Sequence, residues 1–143
     1  MIEESLLKTN VSANSWREVV KMAGDLLKNE GYIDQSYTDS MIETIEELGP
    51  YMILLPKVAF FHGRPSEAVK EVGLSLIVLN ESVYFEEFEN QEIKAAFAFC
   101  AKDQDSHLEV LKEFSTLLQN EELIDLLTNN GSKEEILKII GGE

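Results

Sequence analysis

Two nearly continuous apolar runs, Leu74–Leu79 and Ile93–Ala101, constrain the fold of this chain more than any other feature of its sequence. Neither run alternates apolar and polar residues as a half-exposed strand would. Such runs are typical of central strands that helices cover on both faces. Because helical patterns precede and follow these strands, the sequence predicts an α/β fold with helices on both faces of the sheet.

Apolar spacing and capping residues predict five helices. The first begins at Ser15, where Ser15-Trp16-Arg17-Glu18 is a capping box, and Gly31 ends it. Ser132 opens a second capping box before the last helix. In the second helix, Met41, Ile45 and Leu48 are expected to face inward. The four later helices are expected at about Tyr37–Leu48, Ser106–Asn120, Glu121–Thr128 and Lys133–Ile140, with an edge strand or hairpin arm at Ser82–Phe88.

The composition narrows the classes of function. At 143 residues the chain is expected to form one domain over 1–143. Its net charge of −15 argues against a nucleic-acid partner and favours a protein with a basic contact face. No apolar run approaches the roughly 20 residues that span a bilayer, so membrane insertion is not expected. The lone Cys100 cannot form an internal disulfide, and the chain is predicted to be cytoplasmic.

An interrupted apolar stretch leads to the first of only two histidines. Tyr51–Leu55 is broken by Pro56 and resumes as Val58–Phe61, which delivers His62 into a turn. A strand that ends in this way places an imidazole at the edge of a sheet, where it can hold a phosphoryl group. The alternative is a partly buried histidine whose ring is satisfied by the backbone.

The second histidine, His107, is expected in the first turn of a helix that directly follows a strand. Sites in such folds gather at the carboxyl ends of the strands, so we expect the imidazoles of His62 and His107 to meet. The positive end of the helix favours a neutral His107, which can donate to a phosphoryl group on His62. Arg64 offers a planar fork to the same oxygens, and the amides near Gly63 and Ser66 are further expected donors. Ser66 is also expected to cap a short helix.

The sequence is also consistent with other roles for His107 and Cys100. His107 can instead be a core histidine near a helix cap. A zinc site would use Cys100 with the histidines and nearby acids, and a Cys–His nucleophile pair would need a reactive Cys100 thiol, whereas Cys100 is expected to be a small core residue. The sequence contains no Gly-rich phosphate loop, nucleophile elbow or dinucleotide fingerprint.

Three motifs together resemble a known family. They are Gly49-Pro50-Tyr51, His62-Gly63-Arg64-Pro65 and Asp105-Ser106-His107-Leu108-Glu109-Val110. They are similar to the enzyme IIA (EIIA) component of the bacterial sugar phosphotransferase system (PTS), of the mannitol/fructose type (EIIA type 2). Within that family they are most similar to the ascorbate-specific branch.

The resemblance implies a mixed, roughly five-stranded sheet and a phosphocarrier that needs no metal or cofactor. His62 would accept phosphate from the phosphocarrier protein HPr and pass it to a cysteine of enzyme IIB (EIIB), and through it to the membrane enzyme IIC. His107 would support the phosphoryl group. An apolar rim of Phe60 and Phe61 would suit the docking of HPr. The alternatives are a regulatory module of the same fold without onward transfer, and an interaction domain with no active histidine.

The sequence departs from the family pattern at two places. Phe61 stands where the family usually has a proline before the active histidine. The mannitol and fructose branches carry an upstream arginine where this chain has Glu43, Glu46 and Glu47. We therefore expect Arg64 to supply that positive charge.

Overall fold

The computed structural model describes residues 2–49, 53–63, 66–86 and 89–140, and within them all side chains except those of Leu54, Gln104, Ser106 and His107. A single 3₁₀ turn, Glu4–Leu6, precedes the first strand. The strands are β1 (Leu7–Val11), β2 (Ile53–Leu55), β3 (Lys57–His62), β4 (Gly73–Phe85) and β5 (Gln91–Cys100). The helices are α1 (Trp16–Asn29), α2 (Gln35–Leu48), α3 (Gln104–Leu118), α4 (Glu121–Thr128) and α5 (Lys133–Ile140).

The strands form one mixed sheet in the order β1-β4-β5-β3-β2. β1 is parallel to β4 and β3 is parallel to β5, whereas β4 pairs with β5 and β2 with β3 in antiparallel fashion. The predicted α/β architecture with a mixed sheet is therefore confirmed. Four strands have five to thirteen residues, and β2, at one edge, has only three.

One strand prediction is wrong, and one strand was not predicted. Residues 82–85 are not a separate arm, because β4 continues through them to Phe85 after a register shift between Val78 and Val83. β1 was not predicted at all. Its central residues are largely solvated, so its five residues carry only the two buried ends, Leu7 and Val11, as an apolar signal.

Helices cover both faces of the sheet, as predicted. On one face, Ser75 Oγ of β4 donates to the carbonyl oxygen of Ala23 in α1 at 2.8 Å. On the other face, the ring of Phe114 in α3 packs against Phe60 of β3 and Phe97 of β5, with centroid distances of 4.2 and 4.8 Å. Since both faces are covered, the last eight residues of β5 are all buried.

Local hydrogen bonds fix the ends of the helices. Ser15 Oγ accepts from the Glu18 N–H at 3.2 Å, and Ser132 Oγ accepts from the Glu135 N–H at 3.2 Å, as the two capping boxes predicted. Gly49 ends α2 at φ 81°, a conformation that favours glycine. The bounds of α4 and α5 are those predicted, whereas α2 and α3 each begin two residues earlier than expected.

None of the helices in the described ranges combines the length and the apolar character that crossing a membrane requires.

Candidate functional site

His62 is the last residue of β3 and is half-buried. Its backbone is in register with Phe99 of the parallel strand β5. Because the two strands are parallel, their carboxyl ends lie at the same edge of the sheet, as predicted from the sequence. The Nδ1 atom of the imidazole is buried. The exposed part of the ring is therefore not the edge that carries Nδ1.

Beneath the imidazole lies an aromatic cluster formed by Phe60, Phe97, Phe99 and Phe114. The His62 ring centroid lies 5.4 Å from that of Phe60 and 6.3 Å from that of Phe99. Phe60 in turn stacks on Phe99 at 5.6 Å. Residues two apart on a strand share a face, so Phe60 holds His62 on the face that α3 covers. The cluster thereby fixes one side of the imidazole.

The same cluster connects His62 to the helix that carries His107. β5 ends at Cys100 and α3 begins at Gln104, so position 107 is in the first turn of a helix that follows a strand, as predicted. Position 107 precedes Phe114 by two helical turns and therefore falls on the same stripe of α3. The side chain of His107 lies outside the described part of the structure, and the meeting of the two imidazoles remains a prediction.

A buried tyrosine contacts the backbone on both sides of the His62–Phe99 pair. The Gly63 N–H donates to Tyr37 Oη at 2.9 Å, and Tyr37 Oη donates to the Phe99 carbonyl oxygen at 2.7 Å. Burial raises the pKa of the Tyr37 phenol well above its usual range, so the hydroxyl keeps its proton. The Gly63 amide, expected as a phosphate donor, is therefore engaged with α2. Tyr37 was not predicted as a site residue, although a tyrosine at inward helical spacing signals a hydroxyl that needs a buried partner.

No helix follows Ser66 in the described segment 66–72, contrary to the sequence prediction. Ser66 instead opens a turn: its carbonyl oxygen accepts from the Val69 N–H at 3.1 Å, and its hydroxyl accepts from the Ala68 N–H at 3.2 Å. Ser66 is exposed just after the His62 strand, so it stays a candidate phosphate donor. Arg64, the predicted guanidinium of the site, lies outside the described residues, as does the adjoining Pro65.

The predicted apolar docking rim is wrong. Phe60 and Phe61 are 3% and 0% exposed, because one belongs to the aromatic cluster and the other faces the side of α1. Among the described residues, the exposed large apolar side chains are others: Leu108, next to His107, is 65% exposed, Leu48, expected to face inward, is 63% exposed, and Tyr84 is 46% exposed. The helical spacing after Met41 and Ile45 was misleading for Leu48, because Leu48 is the last residue of α2.

An acidic groove on α2 begins beside Gly63. It is lined by Ser40, Glu43, Thr44, Glu47 and Leu48 and encloses about 400 Å³. A Cβ atom on Gly63 would lie 3.1 Å from Ser40 Oγ, so the groove adjoins the residue that directly follows His62. Two glutamates and an exposed leucine make this surface suited to a partner that is both basic and apolar.

Cys100 is a core residue, as predicted, and not a reactive thiol. It is fully buried, and Sγ donates to the Glu71 carbonyl oxygen at 3.3 Å. Burial raises the pKa of the thiol to about 12, which opposes nucleophilic chemistry at neutral pH. Among the described residues, no three His, Cys, Asp or Glu side chains form a metal-binding group.

Comparison with known proteins gives one family. The model of "Phosphoenolpyruvate-dependent sugar phosphotransferase system, EIIA 2" matches residues 1–142. The ascorbate-specific PTS system EIIA component of Escherichia coli K12 is 30% identical over 141 residues, which cover 98% of this chain and 92% of that protein.

Solved structures of enzyme IIA proteins share the fold of this chain. The mannitol-specific cryptic phosphotransferase enzyme IIA CmtB of Escherichia coli superposes with a TM-score of 0.88 at 31% identity, covering 99% of this chain and 96% of that one. Enzyme IIA mannitol of Escherichia coli, solved in complex with phosphorylated enzyme IIB mannitol, shares the fold with a TM-score of 0.84 at 22% identity, covering 100% and 99%. Since the family match extends over nearly its whole length, the chain belongs to the EIIA type 2 family of the phosphoenolpyruvate-dependent sugar phosphotransferase system, whose members are phosphotransferases.

Proposed function

We propose that this protein is the phosphocarrier EIIA of a sugar uptake system, with His62 as the residue that becomes phosphorylated. In the first step the P–N bond on the histidine of HPr breaks and a P–N bond to His62 forms. In the second step a cysteine thiolate of EIIB attacks the phosphorus, the P–N bond breaks, and neutral His62 is restored. EIIB then serves the membrane enzyme IIC, so the phosphocarrier acts on the cytoplasmic side. The carbohydrate is an ascorbate-like sugar acid or a related sugar.

One observation carries this proposal: a half-buried imidazole at the carboxyl end of a central strand, supported by an aromatic cluster that α3 completes. Phosphoryl transfer asks a protein chiefly for positioning and for stabilisation of charge. The rings of Phe60 and Phe99 restrict the imidazole from one side. Because Nδ1 is buried, we assign Nε2 as the nucleophilic nitrogen.

His107 and Arg64 are proposed to stabilise the phosphoryl oxygens. The stripe that carries Phe114 onto Phe60 also carries position 107, two turns nearer the start of α3. A neutral imidazole there would donate to an oxygen, and a guanidinium at position 64 would form a bidentate pair. Ser66, which is exposed, would add a neutral donor.

Three features of the chain support protein partners of the HPr and EIIB type. The net charge is −15, and the acidic groove beside Gly63 contains Glu43 and Glu47. Leu108, next to His107, adds an exposed apolar contact. A relative of the same fold was solved with its phosphorylated enzyme IIB, which is consistent with such a partner here.

The experiment combines the purified protein with enzyme I, HPr and radiolabelled phosphoenolpyruvate, and then adds a cognate EIIB. We expect label on His62 that moves to EIIB. The variant His107→Gln is expected to slow phosphoryl transfer from HPr by roughly 100-fold, since the loss of one positioned donor to the reacting oxygens costs about that much. Arg64→Ala is expected to slow it as well, and an unchanged rate would remove Arg64 from the site.

The outcomes separate the alternatives. Label that stays on His62 in the presence of several EIIB proteins would indicate a regulatory module. Absence of label from a correctly folded protein would indicate an interaction domain and overturn the proposal. Label on a variant that lacks His62 would place the phosphoryl group elsewhere.

A further inference from the structure

A buried hydroxyl is interposed between two strands at the point where His62 ends its strand. The last registered pair of β3 and β5 is His62 with Phe99. Beyond it, the Gly63 N–H donates to Tyr37 Oη at 2.9 Å, and that hydroxyl donates to the Phe99 carbonyl oxygen at 2.7 Å. The Gly63 carbonyl oxygen lies 3.4 Å from the same hydroxyl, which is the longer contact. A side chain of α2 thus joins the two strands.

Tyr37 reaches this position from the face opposite to the imidazole. Phe61, the strand neighbour of His62, is in register with Ala98, and Ala98 is also in register with Ser75, which bonds to α1. Tyr37 contacts Gly63 from that same side. His62 faces the aromatic cluster on the other side. Tyr37 therefore acts on the backbone that carries the imidazole and does not contact the ring.

The environment of the hydroxyl makes this contact persistent. Tyr37 is 1% exposed, so no solvent molecule can easily replace its partners. Burial also raises its pKa, so the O–H stays a donor at any physiological pH. The close fit extends to the ring, since a Cβ atom on Gly63 would lie 3.2 Å from Tyr37 Cε1. A side chain at position 63 would therefore require the tyrosine ring to shift by a few tenths of an ångström.

We propose that Tyr37 is the positioning residue of the phosphoryl-transfer site. Its hydroxyl sets the separation of the two strands just after His62, and with it the direction of the imidazole. This inference rests on the proposed function for its kinetic consequence, but its effect on the His62 ring is independent of phosphorylation.

The test compares Tyr37→Phe with two matched controls. Ser75→Ala also removes one buried hydroxyl that donates to a backbone carbonyl on the same face, but it is not connected to Gly63. Tyr84→Phe removes an exposed phenol at the far end of β4. Each protein is measured for phosphoryl transfer from HPr, with kcat and KM separated, and for the ¹⁵N and ¹H signals and titration midpoint of His62 by NMR.

For Tyr37→Phe we expect kcat to fall by about 10- to 100-fold, the effect of a misplaced reacting group, while KM for HPr stays close to that of wild type. The His62 ring signals and midpoint should shift, and the Gly63 amide signal should move with them. Both controls should keep the wild-type kinetics and His62 signals. A His62 signal and kcat unchanged in Tyr37→Phe, or changed equally in Ser75→Ala, would overturn the inference.

If Tyr37→Phe does not fold, 3-fluorotyrosine at position 37 retains the ring and hydroxyl while changing the strength of both hydrogen bonds. Shifted His62 and Gly63 signals would support the inference, and unshifted ones would overturn it. The two proposals fail separately. A wild-type protein that takes no label overturns the phosphocarrier role, whereas the NMR comparison still decides the role of Tyr37.

Discussion

The C-terminal helices and the His62 edge of the sheet, meaning the carboxyl ends of β3 and β5, are built in different ways. In α4 and α5 the ends are fixed by residues three positions apart: Asn120 Oδ1 accepts from the Leu123 N–H, and Ser132 pairs with Glu135. At the His62 edge, Tyr37 bonds to residues 26 and 62 positions away. The helix ends therefore depend on neighbours in the sequence, whereas the site depends on how distant segments meet.

The largest expected effect concerns the one residue on which the proposed chemistry depends. His62→Gln should reduce uptake of label from HPr to background, because no nitrogen nucleophile remains at the end of β3. Its free energy of unfolding should stay within about 1 kcal/mol of wild type, since the ring is half-buried. The measurements are a labelling assay and urea denaturation. Wild-type labelling of this variant would contradict the assignment.

The next effect concerns the aromatic cluster that connects α3 to the sheet. Phe114→Ala should lower the free energy of unfolding by about 3–5 kcal/mol, because a buried ring that contacts Phe60 and Phe97 leaves a cavity. Phe114→Leu should cost clearly less. Denaturant unfolding measures both. A loss below about 1 kcal/mol for the alanine variant would show that α3 is held to the sheet by other contacts.

Alkaline pH should lower the free energy of unfolding through Cys100, the residue that follows Phe99. Burial raises the thiol pKa from 9.0 to about 12 in the folded protein. Above pH 9 the unfolded chain loses this proton while the folded protein keeps it, so the stability contribution is intact below pH 9 and declines above it. The loss should reach about 1.4 kcal/mol at pH 10.

The control for this prediction is Cys100→Ala, which removes the titrating group. The difference in unfolding free energy between pH 8 and pH 10 should be smaller for this variant than for wild type. Equal pH dependence would mean that the thiol does not titrate differently in the two states.

The smallest expected effect lies in the C-terminal helices. Ser132→Ala removes the two hydrogen bonds that the Ser132 hydroxyl makes with Glu135 and should lower stability by about 1 kcal/mol. Phosphate uptake from HPr should not change, because α5 contacts β1 at the far side of the sheet from β3. A slowed uptake would show that the two regions are coupled.

The same contrast explains which helices and strands could be predicted from the sequence. The bounds of α4 and α5 were predictable because Ser132 and Asn120 bond to backbone groups within one helical turn. The central strands were predictable because both their faces are apolar. β1 was not, since only its ends are buried. In each of these cases, the success of the prediction depends on whether the element itself carries a capping residue or an apolar pattern.

At the site, the sequence predicted that His62 ends a strand and that His107 lies in the first turn of a helix. The structure confirmed both backbone positions. It did not indicate that Phe60 would be buried under His62 or that Tyr37 would engage the Gly63 amide. Those contacts depend on the register of β3 against β5 and on the placement of α2. Neither is encoded in any single stretch of residues.

The order of the strands also has a consequence for crowded solutions. The two longest strands, β4 and β5, are interior, while the outermost strands β1 and β2 have five and three residues. Open backbone groups at a sheet margin are what allow molecules to join into continuous sheets. A protein with such short margins offers little template for that growth, and it can accumulate to high concentration while its long apolar strands stay sequestered.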